Sequence, residues 1–354
     1  MTDIILSFDS EDYLTPEAAD AELWWADALT ARGLRGSFQL VGELVRALRR
    51  RGRQDVIDAI ARHAIGFHSD RHSQPPTHPE AVRDLSLSEG IAYVLRTEAP
   101  GLAALADAFG RWPVSYCSPG RSWTPATLLA MARMGLKVLC NTKHGDFGRA
   151  PYWYCGLLMA AYNLDFQAFY ENPTFAPGRF EAAFEDLVAR TPSDGVVVLC
   201  THPARLVTSA FWDEAFAGGR RRPIAECPPA PLRPAAEIAV QKDRCSRWLD
   251  WLAGRGDLRF IDFATLHAER AAARRDLDAL LSECGLRFGE EGLLPLRPGE
   301  PDAFMPPAAF DAMRYRWLPY PPGFSGQPLV EQARRLAWTA GPAVRADAAH
   351  GTPP

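Results

Sequence analysis

The sequence predicts an α/β fold in which parallel strands are covered by helices, as a barrel or an open sheet. Three observations predict it. Short apolar runs alternate with amphipathic stretches along most of the chain, in the order strand, helix, strand, helix. Several runs, GVVVLCTHP (Gly195 to Pro203) above all, are continuously apolar and β-branched, as strands buried on both faces are. The 354 residues are 47% hydrophobic and 23% charged, which is globular composition with ample length for a large core.

Each element has its own signal. IILSF (Ile4 to Phe8) reads as a buried strand, and Thr15-Pro16-Glu17 opens a helix that runs to Ala31 and stops at Arg32-Gly33. GSFQLVG (Gly36 to Gly42) is a second strand, followed by helical pattern over Glu43 to Arg50 and Gln54 to His63. IGFHS (Ile65 to Ser69) is a third strand with His68 at its end. SQPPTHP reads as an irregular loop, and Leu87 to Gly110 as helix with a break near Pro100. WPVSYCSPG (Trp112 to Gly120) is a fourth strand ending in a turn; Thr124-Pro125 opens a helix that stops at Gly135. LKVLCN (Leu136 to Asn141) is a fifth strand, and WYCGLLMAAYN with the following LDFQAF is expected to be strand-like. Arg179 to Arg190 is helical, Gly195 to Pro203 is the clearest strand, and residues 204–232 form a long irregular insertion of the kind that is often functional. Pro234 to Gly254 is helical, and Leu258 to Arg270 is a last short strand and helix.

The domain expectation is a catalytic barrel over 1–270 and an extension over 271–354 that packs on or caps it. After an amphipathic stretch (Asp276 to Cys284) the extension is Pro-rich and aromatic, as in RWLPYPPGF (Arg316 to Phe324), and its end is expected to be disordered.

Composition excludes several classes. A net charge of −4 with two short Arg clusters gives no basic field for nucleic acid. No apolar run approaches the ~18 residues of a membrane span. The seven cysteines are odd in number and contain no C-x-x-C, so neither a disulfide framework nor a zinc ribbon is expected; Cys140 and Cys200 lie in apolar runs as buried thiols. The N-terminus enters a strand directly, without the charged and apolar regions of a signal peptide, so a cytoplasmic protein is expected. No G-x-G-x-x-G follows the first strand and there is no Walker loop, which removes support for nucleotide folds.

Two short stretches carry the chemistry. GFHSDRH (Gly66 to His72) places His68 and His72 in an H-x-x-x-H spacing, which on a helical turn would let two imidazoles share a divalent metal. SFDSEDY (Ser7 to Tyr13) supplies three carboxylates, Asp9, Glu11 and Asp12, at the end of an apolar run. Asp9, His68, Pro119-Gly120 and His202 all fall at or just past the C-terminal ends of expected strands. In a parallel barrel those ends converge on the face where active sites lie.

The set SFDSED, HSDRH, CSPGRSWTP and LCTHP, in this order and spacing, resembles the polysaccharide deacetylase (NodB-homology, carbohydrate esterase family four) superfamily over residues 1–270. The resemblance implies a distorted (β/α) barrel and a divalent metal held by one carboxylate and two histidines, with hydrolysis of an N-acetyl group. The metal is expected to be Zn, with Co, Ni or Fe also suited. By the same resemblance Asp9 matches the general base, His202 the general acid, and His68 and His72 the metal histidines. Either Glu11, which shares a strand face with Asp9, or Asp12 completes the metal site. Pro119, Gly120, Arg121 and Trp123 are candidates for substrate contact, and Ser69 for holding the turn between the histidines. Cys117 stands where many members have an arginine that orients the base; Arg121 or Arg71 is the candidate substitute, and Asp146 the candidate acidic partner.

The substrate expected is an N-acetylated sugar or small-molecule amide. Two alternatives stay open: an allantoinase-like cyclic amide hydrolase, and a non-catalytic barrel that binds metal or glycan. Oligomeric state is not legible in the sequence.

Overall fold

The computed structural model describes residues 1–270 apart from 86, 122, 143–150, 155, 172–177 and 217–220; the extension over 271–354 and Asp146 lie outside the described residues. In chain order the elements are β1 (Thr2–Ser10), α1 (Ala18–Thr30), β2 (Gly36–Leu40), α2 (Gly42–Arg50), α3 (Gln54–Ala61), β3 (Ala64–Phe67), α4 (His78–Val82) and α5 (Leu87–Phe109). They continue as β4 (Ser115–Tyr116), α6 (Pro125–Arg133), β5 (Val138–Thr142), β6 (Tyr152–Tyr154), β7 (Leu157–Ala161), β8 (Leu164–Asp165) and α7 (Gln167–Tyr170). The remainder are α8 (Arg179–Ala189), β9 (Val196–Thr201), α9 (Ala235–Ala253), β10 (Leu258–Phe260) and α10 (Phe263–Arg270).

These strands form one curled sheet, a distorted and incompletely closed (β/α) barrel. The order is β6-β7-β5-β4-β3-β2-β1-β9-β8, with β10 paired to the start of β1. Every described pairing is parallel except the β6–β7 hairpin. Only Tyr162 and Asn163 separate β7 from β8, so the chain itself bridges the two flanks of the curl.

The apolar residues divide by strand parity, because successive side chains point to opposite faces. Ile4, Leu6 and Phe8 join the large cluster between sheet and helices, as do Val197 and Leu199. Ile5, Val196 and Val198 face the inside of the curl with Cys117, Val138, Cys140, Leu158 and Ala160. Both faces are therefore apolar, which is why these strands read as unbroken hydrophobic runs. On the inner face of β1 the series Ile5, Ser7, Asp9 turns polar toward the C-terminal end, and that gradient places Asp9 at the mouth.

Three local expectations are corrected. α5 runs through Pro100 without a break. Its packing on α2 and α6 holds it across the missing N–H. LDFQAF is strand for two residues only: Asp165 Oδ1 accepts the Gln167 N–H at 2.9 Å, an Asx turn that ends β8 and starts α7. Part of the SQPPTHP loop is ordered into α4, whose first turn is closed by a reciprocal capping box between Thr77 and Glu80. The insertion over 204–232 is irregular as expected, apart from short 3₁₀ turns and a bridge between Thr208 and Leu232.

Candidate active site

The two histidines do not sit on a helical turn. His68 directly follows β3, its N–H bonded to the Leu40 carbonyl at 2.9 Å. The chain then turns through Ser69 (φ 64°) and His72 (φ 58°), both in the left-handed region that side chains other than glycine disfavour. Hydrogen bonds hold this turn. Ser69 Oγ accepts the His72 N–H at 2.7 Å, the role expected for it. The Ser69 and Asp70 carbonyls accept N–H groups of Gly42 and Glu43 at the N-terminus of α2, at 3.0 and 2.9 Å. The approach is so close that a Cβ at Gly42 would lie 2.5 Å from Gly101 Cα and 2.6 Å from Asp70 Oδ1. A Cβ at Gly66, two residues before His68, would lie 1.8 Å from the buried Gln39 amide oxygen.

So positioned, His68 and His72 meet Glu11. Glu11 Oε2 lies 3.2 Å from His68 Nε2 and 2.8 Å from His72 Nε2, and one ligand atom from each of the three residues falls within 4.8 Å of the others. Of the two carboxylates left open by the sequence, Glu11 joins the imidazoles. Asp12 turns away: its Oδ1 accepts the N–H groups of Leu14 and Thr15, both at 2.9 Å, and it builds the turn into α1. Burial pushes the Asp12 carboxyl up to about 6 in spite of those bonds.

The hydrogen bonds behind each imidazole settle its tautomer. His68 Nδ1 lies 2.8 Å from the Cys117 carbonyl, which only accepts, so Nδ1 carries the proton. Ser73 Oγ donates to Asp213 Oδ2 at 2.5 Å and so accepts from His72 Nδ1–H at 2.8 Å. In the neutral rings both Nε2 lone pairs then face the Glu11 carboxylate. Three electron-pair donors converging in a buried site fit a shared cation. Burial alone would drive the Glu11 carboxyl upward, but positive charge at this spot outweighs it: protonated imidazoles of His72, His202 and His68 hold it well below the usual carboxylate range, and a cation between neutral rings would take the same place. Its second oxygen, Oε1, accepts the Trp212 indole N–H at 3.1 Å.

Beside this triad lie the two expected proton-transfer groups. His202 follows β9, and its Nε2 is 3.8 Å from Asp9 Oδ2. His202 Nδ1–H donates to Gln167 Oε1 at 2.9 Å, which turns Nε2 toward Asp9. On the far side Asp9 Oδ1 accepts the Tyr162 hydroxyl at 2.5 Å. The Tyr162 oxygen in turn accepts from Ser7 Oγ at 3.0 Å and lies 3.3 Å from Cys117 Sγ. Cys117 Sγ is 3.5 Å from both oxygens of Asp9. Burial pushes the Cys117 thiol well up, so at neutral pH it is a neutral S–H beside the carboxylate.

Of the expected substrate contacts, Pro119 and Gly120 line a cleft of about 770 Å³ that also takes in His72, Asp213, Arg71 and Arg96. The backbone of Arg121 closes the short 3₁₀ turn after Pro119. Trp123 does not meet its expectation: it is 2% exposed within the core between sheet and helices and lines no part of this cleft. Arg71 does not take the role expected of it beside Asp9, since its side chain is 67% exposed and reaches Asp70 Oδ2 at 3.4 Å. Sequence reasoning missed Tyr162, Gln167, Trp212 and Asp213. Tyr162 had a usable signal, a polar-tipped aromatic directly after a strand, as Asp9 and His202 are polar groups at strand ends.

No family model matches the sequence, and no curated protein matches it. Solved structures do match by shape. A Mycobacterium smegmatis protein provisionally described as a polysaccharide deacetylase aligns at 18% identity over 77% of this chain and 92% of its own, with a TM-score of 0.49. The 4-alpha-glucanotransferase from Thermococcus litoralis aligns at 10% identity with a TM-score of 0.52; the match covers 76% of this chain but only 40% of that one. A family 4 acetyl xylan esterase from Clostridium thermocellum, in complex with a cobalt ion, aligns at 14% identity over 76% and 92% of the two chains, with a TM-score of 0.41.

Proposed function

We propose that this chain is a metal-dependent hydrolase of non-peptide carbon–nitrogen amide bonds, of the polysaccharide deacetylase type, which removes acetyl from an acetylated amino sugar or a related glycan or metabolite. One observation carries the reading: a Glu11–His68–His72 ligand set lies beside an Asp9–His202 pair whose facing atoms are 3.8 Å apart. Three sequence motifs, SFDSED, HSDRH and LCTHP, supply these groups in the order in which the polysaccharide deacetylase motifs run.

A divalent ion held by Glu11, His68 and His72, with zinc the best match to two imidazoles and a carboxylate, supplies Lewis acidity toward the acetyl carbonyl and a water. The chain's own groups handle the protons. Asp9 is held at Oδ1 by Tyr162, which leaves Oδ2 to take a proton from the attacking water as the carbon–oxygen bond forms. His202, oriented by Gln167, gives a proton from Nε2 to the nitrogen as the carbon–nitrogen bond breaks, because an amine is too basic to leave as an anion. The cleft beside His72 and Pro119-Gly120 is large enough for a sugar-sized group.

The test is metal content and acetate release. Purified protein should hold about one divalent ion per chain, lose it in His72→Ala, and release acetate from N-acetyl amino sugars. Metal without acetate from any substrate tried would favour a non-catalytic binding barrel. Absence of any metal would favour a metal-free cyclic amide hydrolase.

A further inference from the structure

The irregular insertion over 204–232 reaches back into the ligand set through two adjacent residues. Trp212 donates its indole N–H to Glu11 Oε1 at 3.1 Å, so the carboxylate is fixed with Oε2 toward the imidazoles. Asp213 Oδ2 accepts from Ser73 Oγ, which accepts from His72 Nδ1–H, and the carboxylate also stands 3.6 Å from that ring nitrogen. Two of the three ligands are thus oriented by one dipeptide of one loop. The same indole is 3% exposed. Its ring lies 4.5 Å from that of Tyr13, 5.4 Å from that of His72 and 5.4 Å from that of Phe216. The loop is pinned again where the Ala230 N–H meets Thr15 Oγ1 at 2.9 Å.

We infer that this insertion is the outer shell of the ion site, and that ion occupancy and docking of residues 207–216 reinforce each other. The inference rests on the metal reading above. A donor on Glu11 and an acceptor chain behind His72 both hold ligand atoms in the geometry that an ion needs, and such groups typically contribute about 10- to 100-fold in affinity. Linkage makes the effect reciprocal: an ion that prefers the docked arrangement stabilises it by as much as docking favours the ion.

The experiment titrates zinc into metal-stripped full-length protein by calorimetry, with His72→Ala as the variant that removes a ligand. Trp212→Phe keeps an aromatic ring but loses the donor and part of the packing; Asp213→Asn keeps the shape and loses the charge. Each should weaken zinc binding about tenfold or more while unfolding cooperatively near the wild-type temperature. In wild type, zinc should slow amide hydrogen exchange across 207–216. Wild-type affinity in both variants, or exchange over 207–216 indifferent to zinc, overturns the inference and leaves the metal site standing. A wild-type chain that takes up no zinc, or a His72→Ala chain that binds it equally well, overturns both. Should either variant fail to fold, the exchange measurement on wild type decides alone.

Discussion

Tyr162→Phe removes one oxygen from the site and nothing else. In the folded chain that oxygen is the shortest contact of Asp9, donating at 2.5 Å to Oδ1. Without it, among the described residues, Oδ1 keeps only the Cys117 thiol at 3.5 Å, a weak and long donor. A hydrogen bond to a charged group contributes about 1.5–3 kcal/mol, which corresponds to roughly 10- to 150-fold in rate where the bond matters to the transition state. Two effects oppose each other. The lost donor makes the carboxylate a stronger base, but it also frees the carboxylate to rotate away from the water it must deprotonate. Rotation dominates here, because Tyr162 is the principal group restraining the far side of Asp9. Steady-state kinetics on an N-acetyl amino sugar should therefore show kcat lowered about 10- to 100-fold, KM within about twofold, and full metal content. A variant with wild-type kcat and full metal would refute the role given to Tyr162. A variant that loses the metal would show that the phenol supports the ligands instead.

Glu11→Gln should abolish stoichiometric metal binding while Asp12→Asn retains it, because only Glu11 shares its oxygen with the two imidazoles; metal analysis of the two purified variants decides. The buried Glu22 carboxyl is pushed up from 4.5 to about 8 by burial and by Glu11, Asp12 and Asp9, against the Ser10 hydroxyl that donates to it at 2.7 Å. Its folded value lies above its unfolded one, so its contribution to stability is whole below about 4.5 and is lost as pH rises through about 8, at up to about 1.4 kcal/mol per pH unit. Glu22→Gln should match wild type in thermal unfolding near the bottom of that window and unfold at a higher temperature than wild type above it; equal midpoints across the range would sink this reading.

Much of the fold is legible in the sequence because burial on both faces writes long apolar runs, as in β1 and β9. What is not legible depends on contacts made elsewhere. Pro100 signals a break, and packing against α2 and α6 overrides it. LDFQAF has strand composition, and a single Asx turn at Asp165 converts its second half to helix. The H-x-x-x-H spacing suggests a helical turn, yet the imidazoles meet through left-handed residues at Ser69 and His72, in a turn that Ser69 and Asp70 tie to the start of α2. The functional pairing survives because it needs only that the two Nε2 atoms converge, whatever backbone brings them together.

Within the site the same division holds, and it bears on the cysteine at position 117. Asp9, His68 and His202 announce themselves by standing at strand ends. Glu11 and Asp12 differ by one position, and only strand parity carried on from Asp9 separates them: Glu11 keeps that parity, and Asp12 is consumed by the turn after β1. Trp212 and Asp213 lie in a segment with no periodicity, docked by aromatic packing that no local pattern encodes. The cysteine at position 117 reads in isolation as a lost partner for the base, but two neutral donors stand in its place, the Tyr162 phenol and the Cys117 thiol. Asp9 and Glu11 are two buried carboxylates, and on the metal reading a single divalent ion would balance them. On that reading the neutral pair orients Asp9 without adding charge, and the balance of the site would rest on the ion itself.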